Sequence, residues 1–148
     1  MTIGSDAPVV IQSMLSAPSY DMAANISQAI RLRDAGCQII RIAVPDREAV
    51  KLIAALKEQV GLPVVADIHF DYRLALESVS AGVDKVRINP GNIGGEDRVK
   101  AVAVACANAG VPIRIGVNSG SIEREILAKY GGPTPAAMVE SAQYHCAL

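Results

Sequence analysis

Short apolar runs alternate with longer amphipathic segments along the chain. Five β-branched runs predict strands, and their sequences are VVIQSM, QIIRIAV, PVVADI, KVRIN and PIRIGV. Each run is followed by a helical pattern; the first four helices open near Asp21, Asp46, Asp71 and Glu96, and helical sequence follows the fifth strand to the end. Strands that alternate with helices through tight links predict a parallel sheet, because a parallel strand requires a crossover connection.

The helix boundaries carry their own signals. The side chains of Asp21, Asp46 and Asp71 can each accept the free N–H groups of a first helical turn. Three alanine–glycine pairs predict helix ends, because glycine readily adopts the left-handed conformation that terminates a helix. These pairs open the segments AGCQIIRI, AGVDKVRI and AGVPIRI, which form a weak internal repeat running from a helix end into an arginine-bearing strand.

Polar side chains recur on one face of the predicted strands. An open sheet covered by helices on both faces would have strands that are apolar almost throughout. Side chains at alternate positions of a strand point to opposite faces, and each such set of positions is here called a parity. In this chain one parity is apolar and suits packing against helices. The other parity suits an enclosed polar space reached from the carboxyl ends of the strands, as in a (β/α)8 barrel. The polar parity includes Arg41, Asp67, His69, Lys85, Arg87, Asn89, Arg114 and Asn118.

The length changes this picture. A complete barrel has eight strand–helix units in about 250 residues, whereas this chain has five units in 148 residues. We therefore predict an α/β fold that is an incomplete TIM (β/α)8-type barrel of parallel strands. An open sheet of this kind would leave an apolar edge that has to pair with something.

Composition excludes several classes of function. Lysine and arginine (14) nearly balance aspartate and glutamate (15), and four tyrosines with one phenylalanine are the only aromatic residues, so a nucleic-acid groove has little support. No apolar stretch approaches the roughly 20 residues that a membrane-spanning helix needs. The N-terminus shows no export signal, so a cytoplasmic protein is expected.

The three cysteines lie far apart with no C-x-x-C pair: Cys37, Cys106 and Cys146. This spacing predicts neither a disulfide framework nor a closed metal site. Cys106 lies on a helix face that is expected to be buried.

Three arginines are the strongest candidates for a binding site. Arg41, Arg87 and Arg114 lie near the inward ends of three strands, and buried guanidinium groups are rare unless they are paired or face an anion. Asp67 is the only carboxylate of the inward parity near the mouth, so we expect it to neutralise one arginine and leave two for a ligand. A diphosphate fits such a site. The alternative is that each guanidinium pairs with an interior carboxylate. The NPGNIGG segment could offer backbone N–H groups to a phosphate. An ordinary loop between a strand and a helix explains the segment equally well.

The same parity carries candidates for proton transfer and for binding hydroxyl groups. Asp67 and His69 lie two residues apart on one strand, and either could move protons near a bound hydroxyl or phosphate, or both could only form hydrogen bonds. Asn89 and Asn118 suit ligand hydroxyls. His145, beside Cys146, is expected at the surface.

Six ordered segments carry a resemblance to a known family: IQSM, RIAVP, VADIHFDYRLAL, VRINPGNIG, IRIGVNSGS and KYGGPTPAAMVESA. They resemble the 4-hydroxy-3-methylbut-2-enyl diphosphate synthases of the methylerythritol phosphate route to isoprenoids. This resemblance implies reductive opening and dehydration of 2-C-methyl-D-erythritol 2,4-cyclodiphosphate, with electrons from flavodoxin or ferredoxin passing through a [4Fe-4S] cluster. It also implies that Arg41, Arg87 and Arg114 contact the diphosphate, and that Asp67, His69, Asn89 and Asn118 line the same pocket.

The departures from the family pattern limit that expectation. Residues 15–19 read LSAPS where the family usually has a threonine- and asparagine-rich loop, and three barrel strands, a lysine contact and the cluster domain are missing. We therefore predict that residues 1–148 form the N-terminal part of the barrel, that the cluster ligands are not in this chain, that it holds no metal, and that it is inactive alone. The resemblance implies a homodimer for the full-length protein. Two alternatives stay open: a non-catalytic fragment that binds only an anion, and a cluster-free phosphate-binding barrel enzyme resembling dihydropteroate synthase.

Overall fold

A computed structural model describes residues 1–4 and 6–148. In these residues five strands alternate with seven helices. The strands are β1 Gln12–Met14, β2 Ile39–Ala43, β3 Val64–Ile68, β4 Lys85–Ile88 and β5 Ile113–Ile115. The helices are α1 Met22–Asp34, α2 Arg47–Gln59, α3 Tyr72–Ser80, α4 Pro90–Ile93, α5 Glu96–Ala109, α6 Arg124–Tyr130 and α7 Pro135–Cys146.

The five strands form one parallel sheet in the order β1-β2-β3-β4-β5. A doubly wound sheet reverses its strand order at a switch point, whereas a barrel adds each strand beside the one before it. The observed order confirms the predicted incomplete barrel, with β1 and β5 as its open edges. In the register of this sheet, Asp67 of β3 lies opposite Arg87 of β4, and Arg87 lies opposite Arg114 of β5.

The apolar parity of the strands packs against the helices, as predicted. Residues of α2, α3 and α5 cover it, and Cys106 of α5 is 1% exposed within the same core. Burial of these side chains is the main stabilising contribution to the fold, at about 25 cal/mol per Å² of apolar surface. The strand residues in this core are Ile40, Ile42, Val64, Ala66, Ile68, Val86 and Ile88.

The predicted helix starts are confirmed. Asp21, Asp46 and Asp71 are the N-cap residues of α1, α2 and α3, and their side chains accept backbone N–H bonds of 2.9 to 3.0 Å. The glycines of the three predicted helix ends all have positive φ, for example 65° at Gly110. These signals are local, so they act in the same way whether or not the barrel is complete.

Two elements differ from the sequence prediction. The run VVIQSM forms a strand only over Gln12–Met14, and Val9 and Ile11 are exposed. The physical reason is that β1 is an edge strand with a single partner, so little covers its first half. The second difference is α4, a single helical turn at Pro90–Ile93 in the segment expected to be a glycine-rich loop.

The last two helices form a small unit beside β5. Ile122, Ile126 and Ala137 make a separate apolar cluster there. Polar contacts supplement it, because Lys129 lies 2.6 Å from Glu140 and Tyr144 donates a 2.8 Å hydrogen bond to Glu96 of α5. Among the described residues, every helix is too short or too polar to cross a membrane.

Candidate functional site

A buried carboxylate lies at the centre of the predicted site. Asp67 of β3 is 1% exposed. Arg41 donates from Nε and Nη2 to its Oδ2 at 3.1 and 2.5 Å, and Arg87 donates from Nη1 to its Oδ1 at 2.9 Å. The expectation that Asp67 pairs with a single arginine is therefore wrong, although its one negative charge still neutralises only one guanidinium. One carboxylate has two oxygens and accepts from both neighbouring strands at once.

The two arginines keep Asp67 ionised. Burial alone would raise its pKa, but the hydrogen bonds and positive charges of Arg41 and Arg87 outweigh burial and hold the pKa below its usual range. A carboxyl group with a lowered pKa carries no proton at neutral pH. In this arrangement Asp67 can orient and neutralise its neighbours, but it is poorly suited to donate a proton.

His69 lies beside the same carboxylate. Its Nε2 is 3.2 Å from Oδ2 of Asp67, and its side chain is 41% exposed. His69 follows the last residue of β3, Ile68, and its contact with Asp67 shows that both side chains lie on the same side, as their spacing predicts. Unlike Asp67, the imidazole is accessible to a ligand at the carboxyl ends of the strands.

Arg114 completes the arginine group on the edge strand. It lies opposite Arg87 in the register, and it is exposed. Within residues 1–4 and 6–148 it has no carboxylate partner within 4.0 Å, whereas Arg41 and Arg87 share Asp67. Three guanidinium groups and one carboxylate leave two net positive charges, which favour a multiply charged anion.

The two asparagines meet through a serine that the sequence reasoning missed. Asn89, 1% exposed, donates a 3.0 Å hydrogen bond to Oγ of Ser121, and that hydroxyl lies 3.3 Å from the carbonyl oxygen of Asn118. Asn118 is itself exposed, and its Oδ1 accepts from the backbone of Gly120. Ser121 belongs to the segment IRIGVNSGS, and its place three residues after Asn118 was the only available signal.

One inward glycine makes room for an arginine of the site. Gly116 follows Arg114 by two residues on the inward parity, and the Arg87 guanidinium lies against its Cα. The sequence pattern placed Gly116 on this face but provided no reason for a glycine there, because the reason is a contact between two strands.

The chain's own residues do not fit an iron–sulfur cluster. Across the described part of the chain, no group of three histidine, cysteine, aspartate or glutamate side chains could hold a metal ion. Cys37 and Cys106 are buried, and Cys146 is exposed. Burial raises the pKa of the Cys106 thiol, which opposes formation of the thiolate that metal binding needs.

His145 lies inside the protein and not at the surface, so that expectation is wrong. It is 7% exposed, and its Nε2 lies 2.5 Å from Oε1 of Glu123. The helical position of His145 was predictable, but its partner precedes α6 by one residue, and only the packing of α7 against that segment brings them together.

The comparison with known families agrees with the barrel fold. The GcpE TIM-barrel domain family matches residues 1–148. The chain belongs to this family. Similar curated proteins come from Bacillus cytotoxicus, 55% identical over 145 residues, and from Bacillus mycoides, 54% identical over 145 residues. Both are named 4-hydroxy-3-methylbut-2-en-1-yl diphosphate synthase (flavodoxin). The alignments cover 98% of this chain but 39% and 40% of those proteins, so this GcpE-family chain spans about two fifths of their length.

Solved structures with a similar fold support the barrel architecture alone. The dihydropteroate synthase of Yersinia pestis has a TM-score of 0.63 and 14% identity, covering 93% of this chain and 51% of that one. A GMP reductase of Trypanosoma brucei has a TM-score of 0.55 and 20% identity, covering 85% and 33%. At these identities the likeness shows that the GcpE-family chain shares a fold with larger barrels, and it assigns no activity.

Proposed function

We propose that this chain is the substrate-binding part of an enzyme that reductively opens and dehydrates 2-C-methyl-D-erythritol 2,4-cyclodiphosphate to 4-hydroxy-3-methylbut-2-enyl diphosphate. Two findings support the proposal: membership of the GcpE TIM-barrel domain family, and relatives named for the synthase. The observation that carries it is the buried carboxylate of Asp67 between Arg41 and Arg87, with Arg114 opposite Arg87 on the next strand. The net positive charge of these groups at the carboxyl ends of barrel strands suits a diphosphate.

The arginines retain unused donors for the phosphates. A guanidinium has five N–H donors. Asp67 takes bonds from two nitrogens of Arg41 and from one nitrogen of Arg87, which leaves further N–H groups on both. Arg114 donates to no carboxylate within the described residues. We assign diphosphate binding to these three arginines, with Asp67 holding two of them in place.

The proton chemistry falls to His69 in this proposal. The imidazole is partly exposed, so it can reach a bound ligand, and histidine is the side chain most often used for general acid–base catalysis. Asp67 orients it through the 3.2 Å contact and stays ionised. Asn118, which is exposed, would bind a substrate hydroxyl, and the buried Asn89 would hold the loop that presents it. His69 and Asp67 thus both stay assigned to catalysis: His69 would transfer protons, and Asp67 would hold His69 in place.

The redox part of the proposed reaction lies outside these residues. A [4Fe-4S] cluster would supply electrons singly, delivered by flavodoxin or ferredoxin, and its ligands belong to a part of the protein beyond this chain. We propose a cytoplasmic homodimer for the full-length protein, on the family resemblance. No electron-transfer step is assigned to residues 1–148, because their cysteines are dispersed.

Binding of the cyclic diphosphate tests the proposal. Isothermal titration calorimetry on the full-length protein should show binding that weakens about tenfold or more in Arg114→Ala, since a charged hydrogen bond contributes about 1.5–3 kcal/mol. Arg31→Ala is the matched control, because Arg31 is an exposed arginine whose guanidinium donates to Ser27 on the same helix, α1. Equal affinity in both variants would overturn the assignment. Binding of a pterin instead of the cyclic diphosphate would favour the cluster-free alternative.

A further inference from the structure

Gly116 occupies a position where the backbone does not require glycine. Its φ lies outside the left-handed region, and its N–H donates a 2.8 Å hydrogen bond to the carbonyl oxygen of Ile88. This bond continues the pairing of β4 with β5 beyond the last strand residue. L-residues readily adopt φ values outside the left-handed region, so the reason for glycine has to be the missing side chain.

The space beside Gly116 is filled by the guanidinium of Arg87. A Cβ atom built on Gly116 would lie 2.8 Å from Cζ of Arg87 and still nearer to Nε and Nη2. Atoms that are not bonded pack at about 3.5–4.0 Å. The guanidinium therefore lies directly on the Cα of Gly116, in a place that a side chain would occupy.

The other side of the same guanidinium is held by Asp67. Nη1 of Arg87 donates to Oδ1 of Asp67 at 2.9 Å, and the Arg87 side chain is 17% exposed. Arg87 thus lies between a carboxylate on β3 and the bare backbone after β5.

We propose that Gly116 is a positioning residue for anion binding: by lacking a side chain it lets the Arg87 guanidinium lie against the segment that follows β5, where it contacts Asp67 and a phosphate together. The inference rests on the proposed function insofar as the anion is a diphosphate. The contact with Asp67 is independent of any ligand.

A methyl group at this position should displace the arginine and leave the fold intact. The atoms that would collide are the far end of a flexible side chain, and no backbone atom lies among the nearest three. In Gly116→Ala the guanidinium moves out, and its bond to Asp67 is lost or lengthened. The backbone hydrogen bond to Ile88 is unaffected, because alanine keeps the N–H group.

Two measurements on the full-length protein test the inference. NMR titration of the Asp67 carboxyl group should show a higher pKa in Gly116→Ala than in the wild type, because one of the two arginines that lower it has moved. Calorimetry with inorganic pyrophosphate should show about tenfold weaker binding, as expected for loss of a charged hydrogen bond. Gly4→Ala is the control, since Gly4 is exposed and nothing lies within 4 Å of a Cβ at that position; neither value should change.

A double-mutant cycle separates positioning from a general structural effect. In an Arg87→Ala background, Gly116→Ala should cause no further change in either measurement, because coupled residues are not additive. Additive effects, an unchanged pKa of Asp67 in Gly116→Ala, or loss of folding in that variant would each overturn the inference. If the wild type binds no pyrophosphate, the proposed function fails, and the Asp67 titration alone still decides the role of Gly116.

Discussion

Replacing Asp67 by asparagine removes the charge that joins three strands. Asp67 accepts hydrogen bonds from Arg41 of β2 and Arg87 of β4, and it is 1% exposed. Asparagine has almost the same size, so the substitution leaves no cavity. It does leave two guanidinium groups without a counter-charge inside the sheet.

The structure sets the size of the expected loss. Removing one partner of a buried ion pair costs about 3–5 kcal/mol, because the remaining charge is uncompensated. The side chains of Arg41 and Arg87 are 23% and 17% exposed, so water partly solvates them. We therefore expect the free energy of unfolding to fall by about 2–3 kcal/mol at neutral pH, somewhat less than for a fully buried pair.

The pH dependence of this loss has a defined sign. The pKa of Asp67 is lowered in the folded protein from an unfolded value of 3.8. Its contribution to stability is therefore fully present above pH 3.8, and it is lost as the pH falls through the lower folded pKa. The difference between wild type and Asp67→Asn should be large at pH 7 and should shrink on acidification below pH 3.8.

Urea unfolding followed by circular dichroism at several pH values measures this difference. Asp34→Asn is the control, because the Arg33–Asp34 pair is exposed and contributes less than about 1 kcal/mol. Equal stability of Asp67→Asn and wild type at pH 7 would refute the reasoning. If the difference in stability between the two proteins stays constant below pH 3.8, the charge of Asp67 is not its cause.

Three further outcomes are expected in the same unfolding assay or in hydrogen exchange. Ile53→Ala, at a fully buried position of α2, should cost about 2–5 kcal/mol, whereas Val104→Ala, at an exposed position, should cost little; similar losses would contradict the core described above. Asp46→Ala should lower stability by about 1 kcal/mol through loss of an N-cap, and an unchanged midpoint would argue against the cap. Glu123→Gln should speed amide exchange across α7, because the charged contact with His145 becomes a neutral one; exchange as slow as in the wild type would contradict that contact's role.

The strand pattern was predictable because it is a property of neighbouring residues. Side chains of a strand alternate between its two faces, so Ile40 and Ile42 had to face opposite to Arg41 whatever the rest of the chain did. The same holds for the N-cap aspartates, each of which bonds to a residue two or three positions along. Local rules of this kind predicted the five units and placed the arginines on the inward face.

Contacts between strands could not be read in this way. The sequence predicted that Asp67 would neutralise one arginine, but Arg41 and Arg87 lie 26 and 20 residues away from it, and only the register brings both within reach of its two oxygens. The edge position of β1 likewise follows from the order of the sheet, and it explains why Ile11 is exposed despite its apolar character.

The sequence by itself determined the class of fold, the inward face of the strands and the polar residues on that face, for which we propose a diphosphate site. The tertiary structure alone decided how those residues are arranged. Asp67 lies buried between two arginines, His69 is accessible, Arg114 has no carboxylate partner among the described residues, and Gly116 leaves room for Arg87. The physical reason is the separation along the chain over which each effect acts. Periodicity and capping act within a few residues, whereas charge pairing and close packing depend on which strands lie side by side.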